Sequence, residues 1–243
     1  MSKPPIKTAR IKTAMVLAAG IGSRMRPLTD HRPKALVEVG GKALIDHVLD
    51  RLAEAGVATA VVNVHHFADQ MIAHLAGRTN PKVLIADERA GLLDSGGGIK
   101  NALHLLGDAP FFVANIDSLW TGGATPPLEQ MKAAWDPERM DMLLLLVAKG
   151  QGIGFEGPRG FFMDAEGRIT HSADDANPAP FANVGFQIMK PELLADEPDG
   201  AFSILPVWWR LQEKGRIFGV AMDAFWMHVG DPAAREATEH YLK

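Results

Sequence analysis

Between Leu17 and Lys34 the chain reads LAAGIGSRMRPLTDHRPK, and this segment concentrates residues that handle phosphate. Gly20 and Gly22 let the backbone turn tightly and bring N–H groups against an anion. Arg24, Arg26 and Lys34 add charge suited to phosphate oxygens. The apolar run Ala14–Ala19 just before the loop reads as a buried strand, and a strand feeding such a loop can present it to a polyphosphate. Two common glycine-loop designs do not fit. A dinucleotide fingerprint opens directly into a helix and has an acidic residue about 20 positions on, whereas Pro27 and Pro33 prevent a continuous helix here. A P-loop needs a glycine followed by Lys and then Ser or Thr, which this segment lacks.

Other residues bear chemistry in smaller groups. Asp117 follows the apolar run Phe111–Ala114, and the carboxyl end of a parallel strand is where such sheets bind ligands. Capping a helix is the ordinary alternative for an aspartate. His65 and His66 have no further ligands at metal-site spacing and read as loop residues. Trp208 and Trp209 lie on a predicted helix and read as packing residues. The chain has no cysteine, which excludes disulfides, thiolate catalysis and iron–sulfur ligation and fits a reducing cytoplasm. A net charge of −4 with no basic block argues against a nucleic-acid partner, so phosphate binding must come from a local site. No apolar run approaches the ~20 residues of a membrane span, and Ala14–Ala19 is too short for the apolar core of a secretory signal.

The elements that must position these groups alternate. Strands are predicted at Ala14–Ala19, Thr59–Val64, Lys82–Ala86, Phe111–Ala114 and Met142–Ala148. Helices are predicted at Ala43–Ala55, Phe67–Ala76, Pro127–Trp135 and, after three glycines, Gly98–Leu106. Apolar runs rather than strict alternation point to strands covered on both faces. Alternating elements point to an α/β fold with a mainly parallel sheet and right-handed crossovers. After Gly150 the texture changes to a glycine-rich stretch. A hairpin is predicted from Phe161–Met163 and Arg168–His171, followed by a loop at Asp174–Pro180. A strand at Phe181–Met189, a helix at Ser203–Lys214, a strand at Arg216–Ala221 and a closing helix at Asp231–Leu242 complete the reading. Asp231 is the N-cap of that last helix, with Pro232 in its first position. The expectation is one domain with a nucleotide-binding half (1–150) and a half that shapes the second substrate (151–243).

The run Leu17-Ala18-Ala19-Gly20-Ile21-Gly22-Ser23-Arg24, then Pro27-Leu28-Thr29, then Pro33-Lys34, resembles the signature of sugar-1-phosphate nucleotidyltransferases, with complete spacing. That resemblance implies a Rossmann-like, glycosyltransferase-A-like single domain in which a nucleoside triphosphate and a sugar 1-phosphate yield a nucleotide sugar and pyrophosphate. It implies that Leu17 to Ser23 line the nucleotide and that Arg24 holds its β- and γ-phosphates. Lys34 would bridge the α-phosphate and the sugar phosphate. Gly96 and Gly97 fall where relatives face the base, and Asn115, Glu156, Asn183 and Gly185 where they meet the sugar phosphate, with Ser203 a further candidate. Asp117 falls at the Mg²⁺ position. In the late run Phe225–Pro232, His228 stands where relatives carry a second metal-binding aspartate; imidazole suits Mn²⁺ better than Mg²⁺, and Asp231 is nearby. Among compact members the chain resembles the branch that transfers uridylate from UTP to N-acetylmuramate 1-phosphate. It shares the three-glycine segment, the run Asn115 to Trp120, and Ala201-Phe202-Ser203. Mannose-1-phosphate guanylyltransferases are the next resemblance, and a non-catalytic nucleotide-sugar sensor is the alternative outside catalysis.

Overall fold

A computed structural model of the chain describes residues 10–155, 159–172, 174 and 176–243. Glu156, with Gly157 and Pro158 beside it, lies outside these residues, as do Ala173 and Asp175. The chain runs β1 (Thr13–Leu17), the small hairpin β2 (Glu38–Val39) and β3 (Lys42–Ala43), α1 (Leu44–Glu54), β4 (Thr59–Val64), α2 (Ala68–Leu75), β5 (Lys82–Asp87) and α3 (Asp94–Leu106). It continues through β6 (Phe111–Asn115), β7 (Ser118–Thr121), α4 (Pro127–Ala134), β8 (Met142–Ala148), β9 (Gly152–Ile153), β10 (Gly160–Met163) and β11 (Ile169–Ser172). It ends with β12 (Phe181–Met189), α5 (Leu205–Glu213), β13 (Ile217–Met222), β14 (Phe225–His228) and α6 (Pro232–Tyr241).

The main sheet has a parallel centre. β1 lies between β4 and β6, and β5 follows β4 at the edge. β12 then runs antiparallel against β6 on one side and β8 on the other, and β13 is parallel to β8. β10 pairs antiparallel with β12 and β11 antiparallel with β10, so the sheet is mixed, an α/β fold in which β11 and β12 run against the other strands. Its strands are apolar throughout because both faces are covered: β8 is buried from Met142 to Val147. Ala14 and Val16 of β1 join one core with α1, α2 and α4, while Met15 faces the opposite core with α3 and α5. Helices thus cover both sides of the sheet. No helix among the described residues is long and apolar enough to cross a membrane.

Two elements differ from the sequence reading in an instructive way. α3 begins at Asp94, so Gly96, Gly97 and Gly98 lie inside the helix rather than before it. Helix propensity disfavours that arrangement, but packing requires it. A Cβ at Gly96 would sit 2.4 Å from the Phe202 ring, and one at Gly97 would sit 2.1 Å from the Gly200 carbonyl. The second difference is the sheet of β7, β14 and β9, absent from the predicted elements, in which Trp226 pairs with Trp120 and His228 with Ser118. Its strands are four residues or fewer, too short to give a periodic signal. Boundaries elsewhere move by a residue or two; Ala18 and Ala19 leave β1 for the loop, and Asp231 caps α6 by accepting the Ala234 N–H at 2.8 Å.

One ion cluster ties three adjacent strand ends together. Asp141, just before β8, accepts from Lys190 Nζ at 2.7 Å after β12, and from Arg216 Nε at 3.0 Å before β13. The Arg216 hydrogen bonds and the Lys190 charge hold its carboxyl down at about 2, against the opposing effect of burial. A carboxyl depressed in the folded state stabilises the protein above its unfolded pKa, and that contribution disappears as the pH falls through the folded value. Asp141→Asn should therefore melt below the wild type at pH 7. The gap should stay constant down to about pH 4 and narrow towards pH 2, as thermal melts across that range would report.

Candidate active site

The loop after β1 bends as the prolines require. It makes a single 3-10 turn at Ser23–Met25 and another at Lys34–Leu36, the second preceded by extended Pro33. Gly22 sits at φ 68°, and a Cβ there would lie 2.9 Å from Lys34 Cβ. Only glycine allows both this left-handed turn and this close approach. Thr29 Oγ1 donates to the Gly22 carbonyl at 2.9 Å and ties the two arms of the loop together.

The start of the loop is fixed from beneath. Asn63, on β4, accepts the N–H groups of Ala18 at 2.7 Å and Ala19 at 3.2 Å through its Oδ1. Its Nδ2 donates to Glu88 Oε1 at 2.9 Å. Asn63 and Glu88 are both nearly inaccessible, and burial pushes the Glu88 carboxyl above its ordinary range although the Asn63 hydrogen bond opposes this. The sequence reading did not find either residue. The available signal was a lone amide inside the otherwise apolar strand Thr59–Val64, a position where a buried polar group needs partners. His65, which had invited a metal reading, donates from Nδ1 to the Glu88 carbonyl, and His66 packs on Phe67.

Lys34 and Asp117, 83 residues apart in sequence, meet at 2.6 Å from Nζ to Oδ2. Their side chains are 12% and 17% exposed, so both charges are largely out of water. Asp117 caps no helix. Its carbonyl accepts the Val229 N–H at 2.8 Å, which joins it to the end of β14. There His228 donates from Nδ1 to the Gly154 carbonyl at 3.0 Å, leaving Nε2 facing Asp117 at 3.5 Å from Oδ2. Burial alone would raise the Asp117 carboxyl; the His228 hydrogen bond and the Lys34 charge outweigh it and hold the group well below the carboxylate range. The same pairing with Asp117 raises His228 against its own burial.

Two adjoining cavities open over these groups. One, of about 240 Å³, is lined by Gly22, Ser23, Arg24, Lys34, Asp117 and Ala18 among others. The other, of about 590 Å³, is lined by Ala19, Asn63, Glu88, Asp94 and Ser95. Leu17, Gly20, Arg24 and Asn115 border both. Arg24 is exposed between them. Ile21 faces solvent, and Gly96 and Gly97 pack against the Phe202 segment, so Asp94 and Ser95 rather than those glycines form the cavity edge. A Cβ at Gly185 would fall 2.9 Å from Asn115 Nδ2, so these two residues are in contact. Asn183 accepts the Gly185 N–H at 2.9 Å through Oδ1 and borders a further cavity behind Phe155. Ser203 lies at the approach to α5, and Asp231 serves α6. Trp208 is buried in the core, whereas Trp209 lies beside His171 with ring centres 4.7 Å apart. An anion-binding loop, a fixed cation and a carboxylate facing one cavity can orient and neutralise a polyphosphate.

Residues 14–153 match the MobA-like NTP transferase domain family. The chain is 55% identical over 235 residues to an N-acetylmuramate alpha-1-phosphate uridylyltransferase from Caulobacter vibrioides, an alignment covering 95% of this chain and 97% of the relative. It is 34% identical to a protein of the same description from Neisseria meningitidis, covering 89% of this chain and 92% of that one. Its fold resembles a UDP-glucose pyrophosphorylase solved with UDP-glucose, at a TM-score of 0.76 and 18% identity, covering 96% of this chain and 99% of the other.

The bracket under the loop generates a stability prediction. Asn63→Leu leaves the Ala18 and Ala19 N–H groups and Glu88 without their partner, and each stranded buried group costs about 1–3 kcal/mol. Urea unfolding should show a loss of at least about 3 kcal/mol, the lower bound for three such groups. The double variant Asn63→Leu/Glu88→Leu should recover part of that loss, because Glu88 is then no longer stranded.

Proposed function

We infer the reaction from one premise: the chain belongs to the MobA-like NTP transferase family, and within it to the sugar-1-phosphate nucleotidyltransferases. It transfers a nucleoside monophosphate from a nucleoside triphosphate to a sugar 1-phosphate and releases pyrophosphate. For the particular substrates we take UTP and N-acetylmuramate 1-phosphate, the reading supported by relatives of that description at 55% and 34% identity over nearly the whole chain. The observation that carries the mechanism is the Lys34–Asp117 pair at the floor of the loop cavity.

In this mechanism a phosphate oxygen of the sugar 1-phosphate attacks the α-phosphorus in line. A new P–O bond forms as the α–β bridging bond breaks, and the electron pair leaves with pyrophosphate. The attacking phosphate is ionised near neutral pH, so no protein nucleophile or general base is required. Catalysis is then positioning and charge stabilisation. The backbone from Leu17 to Ser23 cradles the triphosphate, and Arg24 neutralises its β- and γ-phosphates. Lys34 leaves Asp117 to stand between the α-phosphate and the incoming sugar phosphate. Asn115, Asn183 and Gly185 lie on the acceptor side. In this assignment residues 1–150 hold the nucleotide and 151–243 shape the acceptor side.

A divalent cation fits the Asp117 corner. The described residues contain no cluster of three or more His, Asp or Glu that would form a complete cage. Asp117 Oδ2 and His228 Nε2 nevertheless converge to 3.5 Å, and His228 donates its other ring N–H to a carbonyl, as metal-bound histidines do. These residues would hold Mg²⁺ that arrives with the triphosphate and retains phosphate and water ligands; the imidazole also suits Mn²⁺. Bound there, the cation would neutralise phosphate charge as pyrophosphate departs.

Pyrophosphate release with UTP and N-acetylmuramate 1-phosphate should exceed release with GTP and mannose 1-phosphate; the reverse order would replace this substrate assignment. Lys34→Ala should lower turnover by about 10²–10³. Lys34→Arg retains the ion pair and should keep the wild-type melting temperature while remaining at least about tenfold slow, because a planar fork does not substitute for a point charge. Near-wild-type turnover in Lys34→Ala would remove this lysine from the mechanism.

A further inference from the structure

A third cavity, of about 440 Å³, lies in the second half of the chain and is bordered by Phe155 and Asn183. Phe155 forms the partition: its ring centre lies 6.5 Å from that of His228 on one side, and it lines the cavity on the other. Asn183 forms a second link, lining the cavity while holding Gly185 against Asn115. Phe155 and Asn183 are thus the residues that link this space to the surroundings of Asp117 and Asn115. The walls are aromatic. Phe161 meets His171 edge-on at 5.6 Å, and His171 packs on Trp209. Such walls accept the apolar face of a pyranose ring and an acyl methyl group.

The polar content of the cavity is narrow. Among the described lining residues Arg159 alone carries a permanent charge, and it is exposed with no ion-pair partner among the described residues. His171 adds no second positive charge at neutral pH: burial, and then the nearby Arg159 charge, lower its pKa. A guanidinium in an aromatic cavity, without an ion-pair partner among the described residues, suits one carboxylate held by charge-assisted hydrogen bonds.

We propose that this cavity is the subsite for the acceptor's ring substituents, and that Arg159 selects a sugar bearing a carboxylate by binding it directly. The inference rests on the acceptor assigned above, because the lactyl ether of N-acetylmuramate supplies such a carboxylate and N-acetylglucosamine lacks it. Arg159 thus determines specificity without touching the reacting phosphates. The wild type should prefer N-acetylmuramate 1-phosphate over its lactyl carboxamide, a neutral analogue of nearly the same shape, by about ten- to hundredfold in kcat/KM, the range expected of a charged hydrogen-bonding pair.

Arg159→Gln tests this with UTP saturating. The preference for acid over amide should collapse towards unity, through a higher KM for the acid. Turnover of the amide, the KM for UTP and the melting temperature should stay at wild-type values. An equal loss on both acceptors, or a preserved preference, would overturn the role of Arg159 while leaving the reaction intact. A wild type that turns over neither acceptor, yet acts on another sugar 1-phosphate, would overturn the acceptor assignment and this inference with it.

Discussion

The parallel pairing of β1 with β6, with Leu17 opposite Asn115, is the constraint on which the site depends. It sets two chain exits side by side at the carboxyl edge of the sheet. One exit becomes the glycine loop and returns Lys34; the other reaches Asp117 two residues later. Slippage of a parallel pair would turn side chains to the opposite face, and here it would also separate the lysine from its carboxylate. Burial on both faces holds the register, since Ala14, Val16, Phe112 and Ala114 lie in one core and Met15, Phe111 and Val113 in the other.

Around that register the protein keeps costly polar groups out of water and gives most of them partners. A largely buried ion pair such as Lys34–Asp117 loses much of its Coulombic gain to desolvation, so stability alone does not account for it, and the chemistry proposed for it does. Asn63 and Glu88 follow the same pattern one layer lower, where a buried amide satisfies two loop N–H groups at once. Glu88 Oε2 keeps no partner, and burial correspondingly shifts that carboxyl towards its neutral form.

The side proposed for the acceptor is built differently. β12 carries a register shift between Asn183 and Gln187 where it changes its contacts with β8. Gly185, at φ 88°, lies inside that irregularity. Ser118 donates to the Val184 carbonyl and receives the Trp226 Nε1–H, which locks the bulge to the β7–β14 strand pair. That strand pair in turn presents His228 to Asp117. One irregular strand thereby connects the phosphate end of the site with the aromatic cavity beyond Phe155.

The local pattern was sufficient for much of this. Apolar runs determined most strands, because a strand buried on both faces has little freedom in composition. Pro27 and Pro33 determined that the loop could not become a helix, and Gly22 occupies a turn that other residues resist. The loop's course was therefore legible from Leu17 to Lys34 alone. The three glycines of α3 misled for a physical reason: propensity places glycine outside helices, while close approach to Phe202 and Gly200 forces it inside. What only the tertiary structure decided were the meetings between distant segments: Lys34 with Asp117, Asn63 beneath Ala18 and Ala19, and Phe155 between His228 and the Arg159 cavity. Each joins side chains from separate elements, and their distances are set by sheet register and core packing, which no local run of residues encodes.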